Sequence, residues 1–353
     1  MAVVTVNGLI DKDELGITLP HEHLFADLTF TFRKPTDPAR AGDATNDVRP
    51  EDMHRLRYDL GAVRSNLLLD DAELAARELE RFARAGGRTI VELSSLGAGR
   101  READIRAISR STGVHIVAGG GFYIRESLPS SIVDASEREL ADRMIDELRT
   151  GIGKTGIRPG IIGEIGISAR IGEWDAKVLK AAARAQKETG RPISVHIQAV
   201  PTLKEFKGEL NGVEALQILE GAKADLSRVV ICHTDAKTDT GYLKKIIAMG
   251  SYAELDHFGK DFYFTETDFL MDRDMDRIDA VRELVDAGLA GRVLISQDVC
   301  LKTDLVAYGG FGYAHILEHI VPAMRRRGIG ADAIRTIMQE NPKALLDVSA
   351  KYL

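Results

Sequence analysis

Two kinds of apolar spacing alternate along this chain. Short continuous apolar runs read as strands buried on both faces. Stretches whose apolar residues return every third or fourth position read as helices with one buried side. The first run, Gly16-Ile17-Thr18-Leu19, predicts a strand ending at His21. Residues 31–70 are charged and interrupted by Pro35, Pro38 and Pro50, which predicts a long loop with a short helix near 52–65. After that the rhythm is regular. Asp70-Asp71 can cap a helix that gathers Ala72, Ala75, Leu79 and Phe82 on one side and stops at Gly86-Gly87. Further strands are expected over 89–93, 114–118, 159–164, 192–196, 229–233, 252–256 and 293–298. Helical spacing covers 101–112, a stretch from 134, then 173–189, 212–222, 239–249, 273–288 and most of 312–348. Segments 3–6 and 9–10 look like a small hairpin outside this series.

Strands that alternate with helices pair in parallel through right-handed crossovers. Eight such units predict an α/β chain folded as a closed (β/α)8 TIM barrel rather than an open doubly wound sheet. No G-x-G-x-x-G follows the first strand and no P-loop occurs, which weakens a nucleotide-binding reading. One barrel can use the whole length, so residues 1–353 are expected to form a single domain.

Composition narrows the partners. The chain is 44% hydrophobic and 29% charged, an ordinary soluble profile. Net charge is −7 with both signs mixed and no basic block, so neither nucleic acid nor an anionic membrane is an expected partner. Residues 1–7 lack a cationic stretch followed by a long apolar one, and no apolar run approaches the ~18–20 residues of a membrane span. Cys232 and Cys300 both follow apolar runs and read as buried free thiols. A cytoplasmic protein acting on a small molecule is the expectation.

Candidate chemistry sits at the strand ends. In a parallel barrel the C-terminal ends converge on one mouth, where active sites are built. Reading off those ends places His21 and His23 after the first strand, Glu164 after the fourth, His196 after the fifth, His233 after the sixth and Asp298 after the eighth. Each alone has an ordinary structural role; six together point to metal ligation. Imidazole and carboxylate without thiolate favour Zn2+, with Mn2+, Fe2+, Co2+ or Ni2+ open, and argue against Ca2+ or an iron–sulfur cluster. A single catalytic Zn2+ usually takes three protein ligands, so six fit two divalent ions better.

These residues lie in stretches that resemble the phosphotriesterase-like branch of the amidohydrolase superfamily over nearly the full length. The stretches are Thr18-Leu-Pro-His-Glu-His-Leu24, Gly160-Ile-Ile-Gly-Glu-Ile-Gly166, Pro192-Ile-Ser-Val-His196, Cys232-His-Thr-Asp235, Ile295-Ser-Gln-Asp298 and Tyr308-Gly-Gly-Phe-Gly-Tyr313. The resemblance implies that His21, His23 and Asp298 hold a buried metal, that His196 and His233 hold a more exposed one, and that residue 164 bridges both. It further implies that Asp298 takes the proton of a bridging hydroxide as it attacks and passes it to the leaving group. The best-known members carry a carbamylated lysine at the bridge. This chain has Glu164, as do phosphotriesterase homology and phosphotriesterase-related members, so triester cleavage is expected only as a weak side activity. Tyr123 matches a tyrosine that lactonase members place near the metals. His257 matches a histidine of the family's proton relay. The acid expected to partner it falls on Ala236, with Asp235 one position earlier. A homodimer is implied by resemblance alone.

Lys260 and Lys302 follow strands seven and eight and could offer cations to an anionic substrate group. Relatives acting on phosphorylated sugar lactones carry an arginine soon after the eighth-strand aspartate, where this chain has Cys300-Leu301-Lys302-Thr303. The expected activity is hydrolysis of a lactone or carboxylic ester. The alternatives are hydrolysis of an N-acyl amide, a mononuclear deaminase-type site, and a barrel that binds a small molecule without turning it over.

Overall fold

The computed structural model describes residues 2–201, 210–265 and 267–352. Eight parallel strands make one sheet: β1 Thr18–Glu22, β2 Thr89–Glu92, β3 His115–Gly120, β4 Ile161–Gly166, β5 Ile193–His196, β6 Val229–Ile231, β7 Tyr252–Leu255 and β8 Val293–Ile295. Each pairs with its neighbours in chain order, from β1 beside β2 to β7 beside β8. The sheet closes between β8 and β1, where Asp298 N–H donates to His21 O and His23 N–H to Val299 O, both at 3.2 Å. The expected (β/α)8 barrel is therefore the observed one. The N-terminal hairpin is also present, pairing Ala2–Thr5 with Gly8–Asp11.

Why these segments form strands is visible in their burial. Ile90, Val91, Ile116, Val117, Ile162 and Ile165 lose essentially all contact with water, as expected for strands with helices outside and side-chain layers inside. The covering helices follow their caps. In α1, Ala72–Arg84, the Asp71 carboxylate accepts the Leu74 N–H at 2.9 Å. Burying Leu74, Leu79 and Phe82 stabilises it by roughly 1.5–3 kcal/mol each. Gly87 then turns the chain so tightly that a Cβ there would lie 2.2 Å from the Phe82 ring. The outer layer continues through α2 Glu102–Thr112, α3 Glu137–Thr150, α4 Glu173–Thr189, α5 Gly212–Gly221, α6 Thr240–Ala248 and α7 Asp274–Asp286. The expected C-terminal helices follow, with a π-helical segment at Ile316–Ile320 leading into α8, Val321–Arg326.

Several strand ends differ from expectation. β6 stops at Ile231 and β8 at Ile295, short of His233 and Asp298. Both residues sit instead in left-handed turns, with φ of 57° and 49°. Glu164 lies inside β4 rather than at its end. The helix expected near 52–65 shrinks to Met53–Leu56. The segment around it is held by Arg55, which donates to Asp43 at 2.7 and 3.0 Å and to Asp52 at 2.8 Å. Among the described residues, no helix is long and apolar enough to cross a membrane.

Candidate metal centre

All six ligand candidates come together at the mouth. The inner pair starts from β1, whose pleat sends His21 and His23 to the same side with ring centroids 5.5 Å apart. His23 Nδ1 lies 2.9 Å from Ser94 Oγ, and that hydroxyl donates to Phe25 O. Ser94 therefore accepts from His23, which puts the proton on Nδ1 and leaves the Nε2 lone pair facing Asp298 Oδ1 at 3.2 Å. His21 is oriented in the same sense. Its Nδ1 meets Glu254 Oε2 at 3.1 Å and Asp256 Oδ2 at 3.3 Å. Its Nε2 is buried without a hydrogen-bond partner among the described residues, 3.4 Å from Glu164 Oε1 and 3.6 Å from Asp298 Oδ1.

The outer pair faces the other side of Glu164. His233 donates from Nδ1 to Asp256 Oδ1 at 3.0 Å, so its Nε2 turns to Glu164 Oε1 at 3.0 Å. His196 presents Nδ1 to the same oxygen at 2.8 Å. These two ring nitrogens are themselves 2.8 Å apart. Glu164 is held from behind, where Ser95 Oγ donates to its carbonyl at 2.9 Å.

The electrostatics agree with a cation site. Burial disfavours charge on His21, but Cys232, Glu164 and Asp256 around it win and lift its pKa well above the usual imidazole value. Burial likewise opposes protonation of His233, and Asp256 and Glu164 raise it to about 10. Burial works against an ionised Glu164, but His196 and His21 hold it well below the usual carboxylate range. Asp298 is lowered in the same way, burial being overcome chiefly by Lys260, then His23 and His21. Carboxylates this deeply buried need positive charge beside them. The convergent Nε2 and Nδ1 atoms, the orphaned His21 nitrogen and the carboxylates between them are a donor set that fits divalent cations once the ring protons are displaced. His21 with His23 and Asp298 forms one such cluster, and His21 with Glu164 and His233 another.

The remaining candidates divide. Tyr123 and His257 both border a cavity of about 340 Å3 that opens above the cluster. The Tyr123 ring centroid stands 5.0 Å from that of His196, and burial pushes its phenol well up. His257 stacks on His233 at 5.0 Å. Its partner is Asp235, which accepts from Nδ1 at 2.7 Å and from the backbone N–H at 3.0 Å. The one-residue offset from Ala236 is thus absorbed by the turn after β6. Lys260 also borders the cavity, but its ammonium is committed to Asp298 Oδ2 at 3.0 Å, with Asp304 at 3.5 Å. Lys302 is not among the residues that line the cavity. It pairs with Asp47 and lies 5.7 Å over the Tyr308 ring. Lys260 thus stands at the cavity with its ammonium paired to Asp298, whereas Lys302 is paired to Asp47 outside the described lining.

Sequence reasoning missed Ser94, Glu254, Asp256 and Gln198. Glu254 and Asp256 had a readable signal: two acids two apart on one strand share a face, by the logic applied to His21 and His23. Gln198 lines the cavity, with its Oε1 taken by the Ala169 N–H at 3.3 Å and its Nε2 unpartnered among the described residues.

Barrel and cluster together define a class: (β/α)8 proteins that gather imidazoles and carboxylates at the C-terminal mouth to cleave bonds with water. The sequence model of the Phosphotriesterase family matches residues 1–346, so the chain belongs to the phosphotriesterase family and is a hydrolase. It is 36% identical to an N-acetyltaurine hydrolase of Tetraodon nigroviridis, over 98% of this chain and 97% of that one. It is similar to a resiniferatoxin-binding protein from Rhodobacter sphaeroides, with 35% identity, a TM-score of 0.92 and coverage of 98% and 95% of the two chains. It is also similar to the phosphotriesterase homology protein from Escherichia coli complexed with phosphate, with 30% identity, a TM-score of 0.77 and coverage of 95% and 100%.

Proposed function

We propose that this chain is a binuclear, metal-dependent hydrolase that cleaves the amide bond of a small N-acylated amine. The observation that carries the metal chemistry is Glu164, which stands between imidazoles of both pairs with one oxygen 2.8–3.4 Å from three of them. His21, His23 and Asp298 would hold one divalent ion, His196 and His233 the other, and Glu164 both, Zn2+ being the best match to the donors. Bound there, the ions would supply an acidified water and positive charge at a developing oxyanion.

The chain's own residues account for the rest. Asp298 is fixed through Oδ2 by Lys260, so its other oxygen is aimed at the ligand cluster, where it can accept a proton from the attacking water and return it to the departing nitrogen. His257, anchored by Asp235, and Tyr123 flank that path. The cavity walls are largely apolar, with Leu28, Phe30, Ile197, Phe262 and Met271 suited to an acyl group and the Gln198 amide available to an oxygen.

Kinship favours an amide over the lactone or ester that the motifs alone ranked first, since full-length relatives are named N-acetyltaurine hydrolase. The name of the Rhodobacter sphaeroides neighbour supports a second reading, binding without turnover. Zn2+- or Mn2+-loaded protein should be assayed on N-acyl amides, lactones, aryl esters and phosphotriesters. N-acyl amides should give the highest kcat/KM, and His21→Ala or Asp298→Asn should lower it by at least about 100-fold. Two bound ions with no turnover of any class would favour the binding reading. Saturation well below two ions per chain would sink the binuclear one.

A further inference from the structure

We propose that Asp256 is a positioning residue that couples the two halves of the metal centre, so that an ion lost from one position weakens the other. The proposal rests on the binuclear reading above. Its basis is a single carboxylate shared between imidazoles of opposite halves. Oδ2 of Asp256 lies 3.3 Å from Nδ1 of His21, and Oδ1 lies 3.0 Å from Nδ1 of His233. His233 gives its Nδ1 proton to Asp256, while that of His21 is bonded to Glu254 Oε2 at 3.1 Å with Asp256 Oδ2 just beyond it, and both Nε2 atoms are left turned towards Glu164, at 3.0 and 3.4 Å.

Asp256 also holds the backbone that carries His233. Its two oxygens accept the His233 backbone N–H at 2.8 and 3.1 Å. That residue has φ of 57°, a left-handed conformation that is strained for a non-glycine residue and persists only where its surroundings enforce it. Asp256 has no exposure to water, and Oδ1 is also 3.7 Å from His257 Nδ1. Hemmed in on these sides, the carboxylate cannot follow a relaxing His233 without moving the oxygen that orients His21. The coupling is mechanical: one rigid group, two ligands.

Glu254, on β7 two residues before Asp256, provides the contrast. Its Oε2 lies 3.1 Å from His21 Nδ1, while Oε1 has no hydrogen-bond partner among the described residues. Glu254 supports one imidazole of the ligand set, Asp256 supports two.

The test is metal release from the loaded protein. Wild type, Asp256→Asn, Asp256→Glu and Glu254→Gln are dialysed against graded dipicolinate. Ions per chain are counted by mass spectrometry, and circular dichroism checks the fold. Wild type should go from two ions to none in one transition. Asp256→Asn should release them in two separated steps with a plateau near one, each position weakened by about 10–100-fold. Glu254→Gln should shift the transition and keep it single. If Asp256→Asn does not fold, Asp256→Glu, which keeps the charge but displaces the oxygens, should show the same separation. A single transition in the folded Asp256 variants overturns the proposal, and so does a wild type that already releases its ions in two steps. A wild type that saturates at one ion overturns the binuclear reading instead.

Discussion

Arg277 offers a test of how the site is held from behind. It is fully buried on α7, and its Nε donates to Asp235 Oδ2 at 2.9 Å, with a longer contact of 3.4 Å to Asp274. Asp235 is equally buried and keeps two hydrogen bonds from His257. Arg277→Met preserves much of the side-chain volume but leaves that carboxylate without its guanidinium. Removing one partner of a buried pair costs about 3–5 kcal/mol, because the other charge stays out of water uncompensated. For 353 residues the entropy of unfolding is about 0.7 kcal/mol/K, so Tm should fall by about 4–7 °C. Differential scanning calorimetry of the metal-loaded protein reads this directly. Replacing both charges, Arg277→Met with Asp235→Asn, should recover most of the loss, since no orphaned charge remains. The reasoning is refuted by a single variant that melts within about 1 °C of wild type, or by a double variant that melts below the single one.

Other outcomes follow from the same geometry. Lys260→Met frees Asp298 Oδ2 and should lower kcat by about 10–100-fold while both ions and KM are largely retained; unchanged kcat would remove Lys260 from the machinery. Gly163 has φ of 144°, and a Cβ there would meet the Ser194 carbonyl oxygen at 2.6 Å. Gly163→Ala should therefore cost at least about 2 kcal/mol and displace the adjacent Glu164, seen as a lower Tm and reduced metal content. Burial pushes the Tyr242 phenol up to about 12, against the Gly212 N–H that favours the phenolate. The native state then keeps a proton that the unfolded chain has released. The resulting stability is complete below pH 10, is on the order of 3 kcal/mol, and is lost between about pH 10 and 12. The urea midpoint of Tyr242→Phe should lack that part of the alkaline decline, and identical profiles would count against a half-buried phenol kept neutral.

The barrel was legible because its strands are short apolar runs and its helices carry capped, one-sided stripes, as at Asp71–Phe82 and its Gly87 stop. The clustering of the six candidate ligands was legible because parallel topology turns strand ends into neighbours. The two lysines were not. A charged residue after a strand says nothing about which acid will reach it first, and Asp298 and Asp47 lie 38 and 255 residues from their partners in sequence. The acid for His257 was displaced by one position because the strand before it ends at Ile231 and the chain leaves it through a left-handed turn at His233.

By itself, then, the sequence determined what local spacing and residue chemistry can carry: the barrel, the mouth and six candidate donors to a cation. Tertiary structure alone decided how those donors are aimed. Imidazole tautomers depend on Ser94, Glu254 and Asp256, which arrive from other strands, and the charge of a buried group depends on which opposite charge packs against it. Those partners are set by three-dimensional closure between β8 and β1 and by turns whose φ values local spacing does not encode. That is why Glu164 and Asp298 were readable as candidate ligands, whereas for Asp256 local spacing showed the face it shares with Glu254 but not the imidazoles it would meet.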